Sequence, residues 1–157
     1  RRMKINSSFT VAAPPDQVFA YLLDVNQVVG CVPGAQLTEV VDAQTFTGTL
    51  KVKVGAVQIT YQGTAHIVDT EELHDRVIVK IDAKGKEVGG QGTVRASVAM
   101  TVSGSGRGGS EVSIDADLNI TGKIAQFGRG IIEDVSRKLV GQMAECISAN
   151  LQAAPAG

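Results

Sequence analysis

A chain of 157 residues with 43% hydrophobic side chains is one domain in size, with enough apolar material for a core. Fifteen basic residues stand against sixteen acidic ones, for a net charge of −1, with two Tyr, four Phe and no Trp. That balance argues against a basic, base-stacking nucleic-acid reader. Cys31 and Cys146 have no further Cys or His at metal-ligand spacing, so zinc is not suggested and both read as free thiols of a reducing cytoplasm. No stretch reaches the ~18 apolar residues of a membrane span. No leader pattern precedes Met3, which reads as a natural first residue.

Residues 4–12 read as a first strand, with Ile5, Phe9 and Val11 on one face. Pro14-Pro15-Asp16 then stops the strand and opens a helix, since Pro fits a first helical turn and Asp complements its dipole. That helix runs to about Leu23, with Val18, Phe19, Leu22 and Leu23 as its apolar stripe. The turn-rich stretch behind it closes at Val32-Pro33-Gly34, where Pro-Gly suits the centre of a type II turn.

From Gln36 to Thr121 the period is two. Phe46, Gly48, Leu50, Val52 and Val54 alternate with polar residues, and so do Val57, Ile59, Tyr61, Gly63, Ala65 and Ile67. Val77 to Ala83, Val94 to Val102 and Val112 to Ile120 repeat the pattern. Strands with one dry and one wet face belong to an antiparallel sheet. The short links at 54–56, 85–90 and 104–109 make consecutive strands neighbours.

Helical spacing returns at the end: Ile124, Phe127, Ile131, Val135, Leu139, Met143, Ile147 and Leu151 form one stripe over about seven turns. Such a helix must lie on the dry face of the sheet, because neither element buries its apolar side alone. The expected order is β-α-α-β-β-β-β-β-β-α, an α+β fold. Residues 3–152 make the domain, and 153–157, rich in Ala and Pro, begin a linker or tail.

The inward strand positions include Gly48, Gly63, Ala65, Ala83, Ala96 and Ala116, too small to fill the space a curled sheet encloses. An apolar cavity under the helix is the expectation, and glycines in the helix keep a close-packed alternative open. Gly104-Ser105-Gly106-Arg107-Gly108-Gly109 matches GxGxxG, but a strand follows instead of a helix N-terminus, so it reads as a hairpin loop. His66, Asp115 and Asp117 point outward by parity, His74 sits in a polar turn, and no Ser occupies a nucleophile elbow. No catalytic or metal-binding residue is therefore assigned.

Several runs carry a family resemblance. They are Val11-Ala12-Ala13-Pro14 leading into residues 18–24, Cys31-Val32-Pro33-Gly34-Ala35, Lys51-Val52-Lys53-Val54-Gly55, Tyr61-Gln62-Gly63, and residues 120–128. Together they resemble the START-like (SRPBCC) helix-grip superfamily, and within it the carbon monoxide dehydrogenase CoxG family, over nearly the whole chain. The resemblance implies a curved sheet of about seven strands wrapped round a long C-terminal helix, with two short helices after strand 1. It also implies a non-catalytic accessory protein of a molybdenum, flavin and iron–sulfur dehydrogenase, at the cytoplasmic face of the membrane, reached through a C-terminal tail.

Resemblance and cavity combine into one expectation. The chain holds no covalent cofactor but binds an apolar ligand, a quinone such as menaquinone or ubiquinone or another isoprenoid, and carries it between membrane and enzyme. The expected lining is Val32, Pro33, Gly34, Leu50, Tyr61, Gly63, Ala65, Val79, Ala96, Val98, Ala116, Phe127, Gly128, Ile131 and Val135. The competing expectations are a recruitment or assembly factor that binds nothing small, and a cyclase-like enzyme using Tyr61.

Overall fold

The computed structural model describes residues 2–153, with side chains for 2–151. The expected linker lies outside the described residues apart from Ala153, which ends the last helix. In chain order the elements are β1 (Arg2–Val11), α1 (Pro15–Leu23), α2 (Val25–Val28) and a 3₁₀ turn at Val29–Cys31. Then come β2 (Ala35–Asp42), β3 (Thr45–Val54), β4 (Val57–Glu72), β5 (Arg76–Glu87), β6 (Thr93–Gly106) and β7 (Gly109–Ile120). A second 3₁₀ turn, Ile124–Gln126, precedes α3 (Arg129–Ala153). The strands form one seven-stranded antiparallel sheet in the order β1-β7-β6-β5-β4-β3-β2.

Local chemistry sets the joints. Pro14 caps α1 in an extended conformation, and its carbonyl accepts from the Gln17 and Val18 amides at 3.1 Å. Gly34, at φ +82°, completes the expected turn as the Ala35 amide donates to the Val32 carbonyl at 3.1 Å. The GxGxxG run is the β6–β7 hairpin, with Gly106, Arg107 and Gly108 all at positive φ. Between α1 and the sheet, the buried Ser110 hydroxyl donates to the Ala13 carbonyl at 2.6 Å.

The structure corrects the sequence reading in four places. First, β5 runs on through Gly85 to Glu87, so the link to β6 is only residues 88–92. Gly48, Gly63 and Gly85 are cross-strand partners in one row, and a Cβ on Gly63 would collide with the Lys84 carbonyl and the Gly85 Cα. The space beside Gly63 is thus filled by the β5 backbone and is not cavity. Gly63→Ala is expected to destabilise by several kcal/mol, because the clash is with backbone that cannot rotate away. A urea melt checks this; an unchanged midpoint would show that the row opens freely.

Second, the terminal helix does not begin at Ile124. Phe127 is extended (φ −75°, ψ 152°), so the second 3₁₀ turn and α3 are separate and the helical phase resets. Ile132, 4% exposed, takes the inward position expected for Ile131, which is 48% exposed. Third, Cys31 and Cys146 are not free thiols but a disulfide, with Cα atoms 5.4 Å apart and 115 residues between them in sequence. The fold brings the turn before β2 onto the second half of α3, within the reach a disulfide needs. Fourth, Glu87 faces inward, as described below.

Candidate functional site between the sheet and the terminal helix

The core is in two pieces. Val11, Val18, Tyr21, Leu22, Val79, Met100, Val102, Val112 and Ile147 form one cluster, around α1 and the later turns of α3. Met3, Val54, Ile59, Tyr61, Ile120, Ile124 and Ile132 form another, where α3 begins. Fully burying one such side chain contributes ~1.5–3 kcal/mol, so each cluster is a substantial anchor.

Between them lies a belt of small residues. Cross-strand pairing puts Ala65, Ala83 and Ala96 side by side on β4, β5 and β6, with Ala116 opposite Val98. These alanines belong to neither cluster, and neither do Leu50, Leu139 and Met143. All seven are only half-buried, although strand parity and the α3 stripe turn them inward. On α3, Val135 packs on one cluster and Ile147 belongs to the other. That places the belt under roughly 18 Å of helix. Neighbouring strands are ~4.8 Å apart, so the alanine row is about 10 Å wide. Methyl groups supply little side-chain volume between sheet and helix there.

The fifteen expected lining residues divide accordingly. Ala65, Ala96 and Ala116 lie in the belt, Leu50 pairs with Tyr61 across β3 and β4, and Val79 and Val98 edge the belt within the α1 cluster. Tyr61, Phe127 and Val135 belong to the cluster at the start of α3. Val32, Pro33 and Gly34 lead into β2, where the Lys51 amide donates to the Gly34 carbonyl at 2.9 Å. Gly128 and Ile131 are exposed, and Gly63 abuts β5. The Cys31 turn and Phe127 therefore lie towards opposite ends of α3, not beside one another.

Glu87 is the residue that the sequence reading missed. It is 7% exposed and pairs with Tyr61 across β4 and β5. Its carboxylate sits against Gly90, Gly92 and Gly122, where any Cβ would crowd it. Burial pushes the Tyr61 hydroxyl above the usual tyrosine range, and the Glu87 charge adds to the shift. Tyr61 is therefore a neutral hydrogen-bond donor at neutral pH and a poor general base. The signal was available in parity: Glu87 continues Val79, Ile81 and Ala83 once β5 is allowed to pass Gly85.

The wet face is different in kind. Two open grooves there, of about 450 and 1040 Å³, are lined by charges, among them Lys4, Asp82 and Asp117 in both. His66 is exposed on that face and meets the Thr45 hydroxyl at 2.9 Å through Nδ1. Apolar residues reach the grooves too, Val98 and Ala116 in the smaller and Ala83, Ala96 and Leu118 in the larger, but the charges make a poor lining for an apolar ligand. Among the described residues no helix is long and apolar enough to cross a membrane.

A sheet of this order gripping a long final helix defines a START-like, helix-grip protein. A conserved protein from Geobacillus kaustophilus matches with a TM-score of 0.80 at 17% identity, over 96% of this chain and 95% of that one. The ZhuI aromatase/cyclase from Streptomyces sp. R1128 matches at 0.65 and 14% identity, over 97% and 94%. A START superfamily protein from Mycobacterium smegmatis matches at 0.59 and 9% identity, over 95% and 97%. No curated protein matches the sequence. The family model for CoxG, described as a subunit of carbon monoxide dehydrogenase, matches residues 7–152, and the chain belongs to the CoxG family.

Proposed function

We propose that this CoxG-family chain is a non-catalytic accessory protein of a molybdenum-containing carbon monoxide dehydrogenase. In this reading it holds a respiratory quinone, such as menaquinone, over the alanine belt and shuttles it between the membrane and the enzyme. The observation that carries the reading is the split core. Two packed clusters flank a row of alanines, whose small side chains supply little volume beneath the middle of α3. A chain of isoprenoid methyls would replace the missing side chains, each buried CH₂ contributing about 0.8 kcal/mol relative to water. Relative to a bilayer that gain largely cancels, so uptake and release are both feasible.

An enzymatic reading, in the manner of the similar aromatase/cyclase, rests on the Tyr61–Glu87 pair. Tyr61 belongs to the cluster at the start of α3 and Glu87 is buried against Gly90, Gly92 and Gly122, which favours a structural role. Native mass spectrometry of gently purified protein tests the carrier directly. A bound isoprenoid mass is expected. An empty protein that still binds the dehydrogenase would replace the carrier with a recruitment factor.

A further inference from the structure

The two sulfurs of the Cys31–Cys146 disulfide have unlike surroundings. Cys31 is 3% exposed and belongs to the α1 core cluster, whereas Cys146 is half-buried and only packs against that cluster. The polar groups near them are also sorted by kind. The Tyr21 hydroxyl lies 3.3 Å from the Cys31 Sγ. The Asn150 Nδ2 lies 3.5 Å from the same sulfur and 3.9 Å from that of Cys146. A disulfide sulfur carries no proton, so at Cys31 both contacts come from donors. An acceptor, the Gly30 carbonyl oxygen, stands 4.0 Å from the Cys146 Sγ.

The donors at Cys31 are organised as a chain. One N–H of the Asn150 amide donates to the Tyr21 oxygen at 2.8 Å, which leaves the other for the sulfur. The Tyr21 proton is shared between the Gln27 carbonyl at 3.4 Å and the Cys31 Sγ. A charged acceptor draws such a proton more strongly than a carbonyl does, so a thiolate at Cys31 would be held by both side chains. At Cys146 the Gly30 carbonyl dipole disfavours a negative charge. In thiol–disulfide exchange the accessible sulfur is attacked and the better-stabilised sulfur leaves. Exposure and hydrogen bonding here select the same direction, attack at Cys146 and departure at Cys31.

We infer that this disulfide is a thiol-exchange site, at which Cys146 takes up a low-molecular-weight thiol and Cys31 is the leaving group and resolving residue. The incoming thiolate bonds to the Cys146 Sγ as the Cys31–Cys146 bond breaks, and the electron pair leaves on Cys31. In reverse, the Cys31 thiolate attacks the Cys146 Sγ of the mixed disulfide and expels the small thiolate. A second small thiol attacking the adduct's outer sulfur carries the exchange to the reduced form instead. Two small thiols are then oxidised to their disulfide, and the protons they lose are taken up by Cys31 and Cys146. The Asn150–Tyr21 bond and the buried Ile147 keep α3 in place, so Cys31 stays within reach for reclosure. A cross-link serving stability alone needs no such sorting of donors, and nothing in the exchange depends on what fills the belt.

The experiment is incubation of the folded, oxidised full chain with reduced glutathione, quenching with maleimide in acidic denaturant, and peptide mass mapping. Glutathione is expected on Cys146 and maleimide on Cys31, with the opposite isomer roughly ten-fold rarer or more. Tyr21→Phe combined with Asn150→Ala should slow adduct formation on the order of ten-fold, because the leaving thiolate loses both donors. The sign separates this role from a structural one. If the two side chains only fastened the helix, removing them would loosen it and speed the exchange. A thermal melt shows whether the double variant is folded, and Asn150→Ala alone, at an exposed position, should slow exchange several-fold. Glutathione on Cys31, or on both sulfurs equally, would overturn the inference. So would exchange that waits for unfolding, or that is not slowed in a folded variant.

Discussion

Ala96→Phe is expected to hold or raise the melting temperature and to weaken quinone binding by ten-fold or more. Ala96 sits in the alanine row between Ala83 and Leu118, on the inward side by strand parity. In a filled core the added ring would strain its neighbours, at a typical cost of ~1–3 kcal/mol. Over an under-filled belt it lands in open apolar space and buries surface of its own, a gain of up to roughly 1.5–3 kcal/mol. The same ring then occupies the ligand's place, and a ten-fold loss corresponds to about 1.4 kcal/mol. Quinone-dependent electron transfer from the dehydrogenase should disappear, while its reduction of an artificial dye continues. A thermal melt and the two acceptor assays read the outcome. A stable variant with undiminished quinone coupling would end the carrier proposal, and an unfolded variant would show that the belt is packed.

Breaking the disulfide should have the largest effect on stability. Cys31–Cys146 joins the turn before β2 to α3 across 115 residues of chain. Cross-links closing loops near this length reduce the freedom of the unfolded chain by ~4–5 kcal/mol in the loop-entropy model, and 2–4 kcal/mol is typical in practice. For a domain of this size each kcal/mol moves the melting temperature by ~2–4 °C, so Cys146→Ser should melt on the order of 10 °C lower. The helix end should still dock, because the Asn150 side-chain amide donates to the Tyr21 hydroxyl at 2.8 Å and Ile147 is 1% exposed. A dithiol reductant should bring the parent down to the variant's melting temperature and leave the variant unmoved. A parent indifferent to reductant would show that the bond adds nothing to stability.

Strand parity and one helical stripe were enough to read the sheet, its dry face and the partner helix from sequence. What parity could not show was everything that depends on two segments meeting. Gly85 looked like a link because glycine usually weakens a strand, yet here it completes a row with Gly48 and Gly63 in which side chains would meet backbone. That shortened β5 and hid Glu87 on the inner face. Ile131 fitted a stripe counted from Ile124, but the extended Phe127 restarts the helix and hands the inward place to Ile132. The cysteines gave no sign of partnership at a separation of 115 residues. The alignment of the alanines as Ala65–Ala83–Ala96 needed the register.

If the chain is the carrier proposed above, a core divided in two would make its empty and loaded forms mechanically different molecules. Leu139 and Met143, in the middle of α3, join neither cluster, so amides there should exchange hydrogen sooner than those at Ile132 or Ile147. A guest lying along the belt would join the two clusters into one continuous interior. At a free concentration of 100 times its Kd it would add about 2.7 kcal/mol to stability. The chain would then be stiff on its outbound journey and supple on its return, with the cargo itself serving as the missing third of the core.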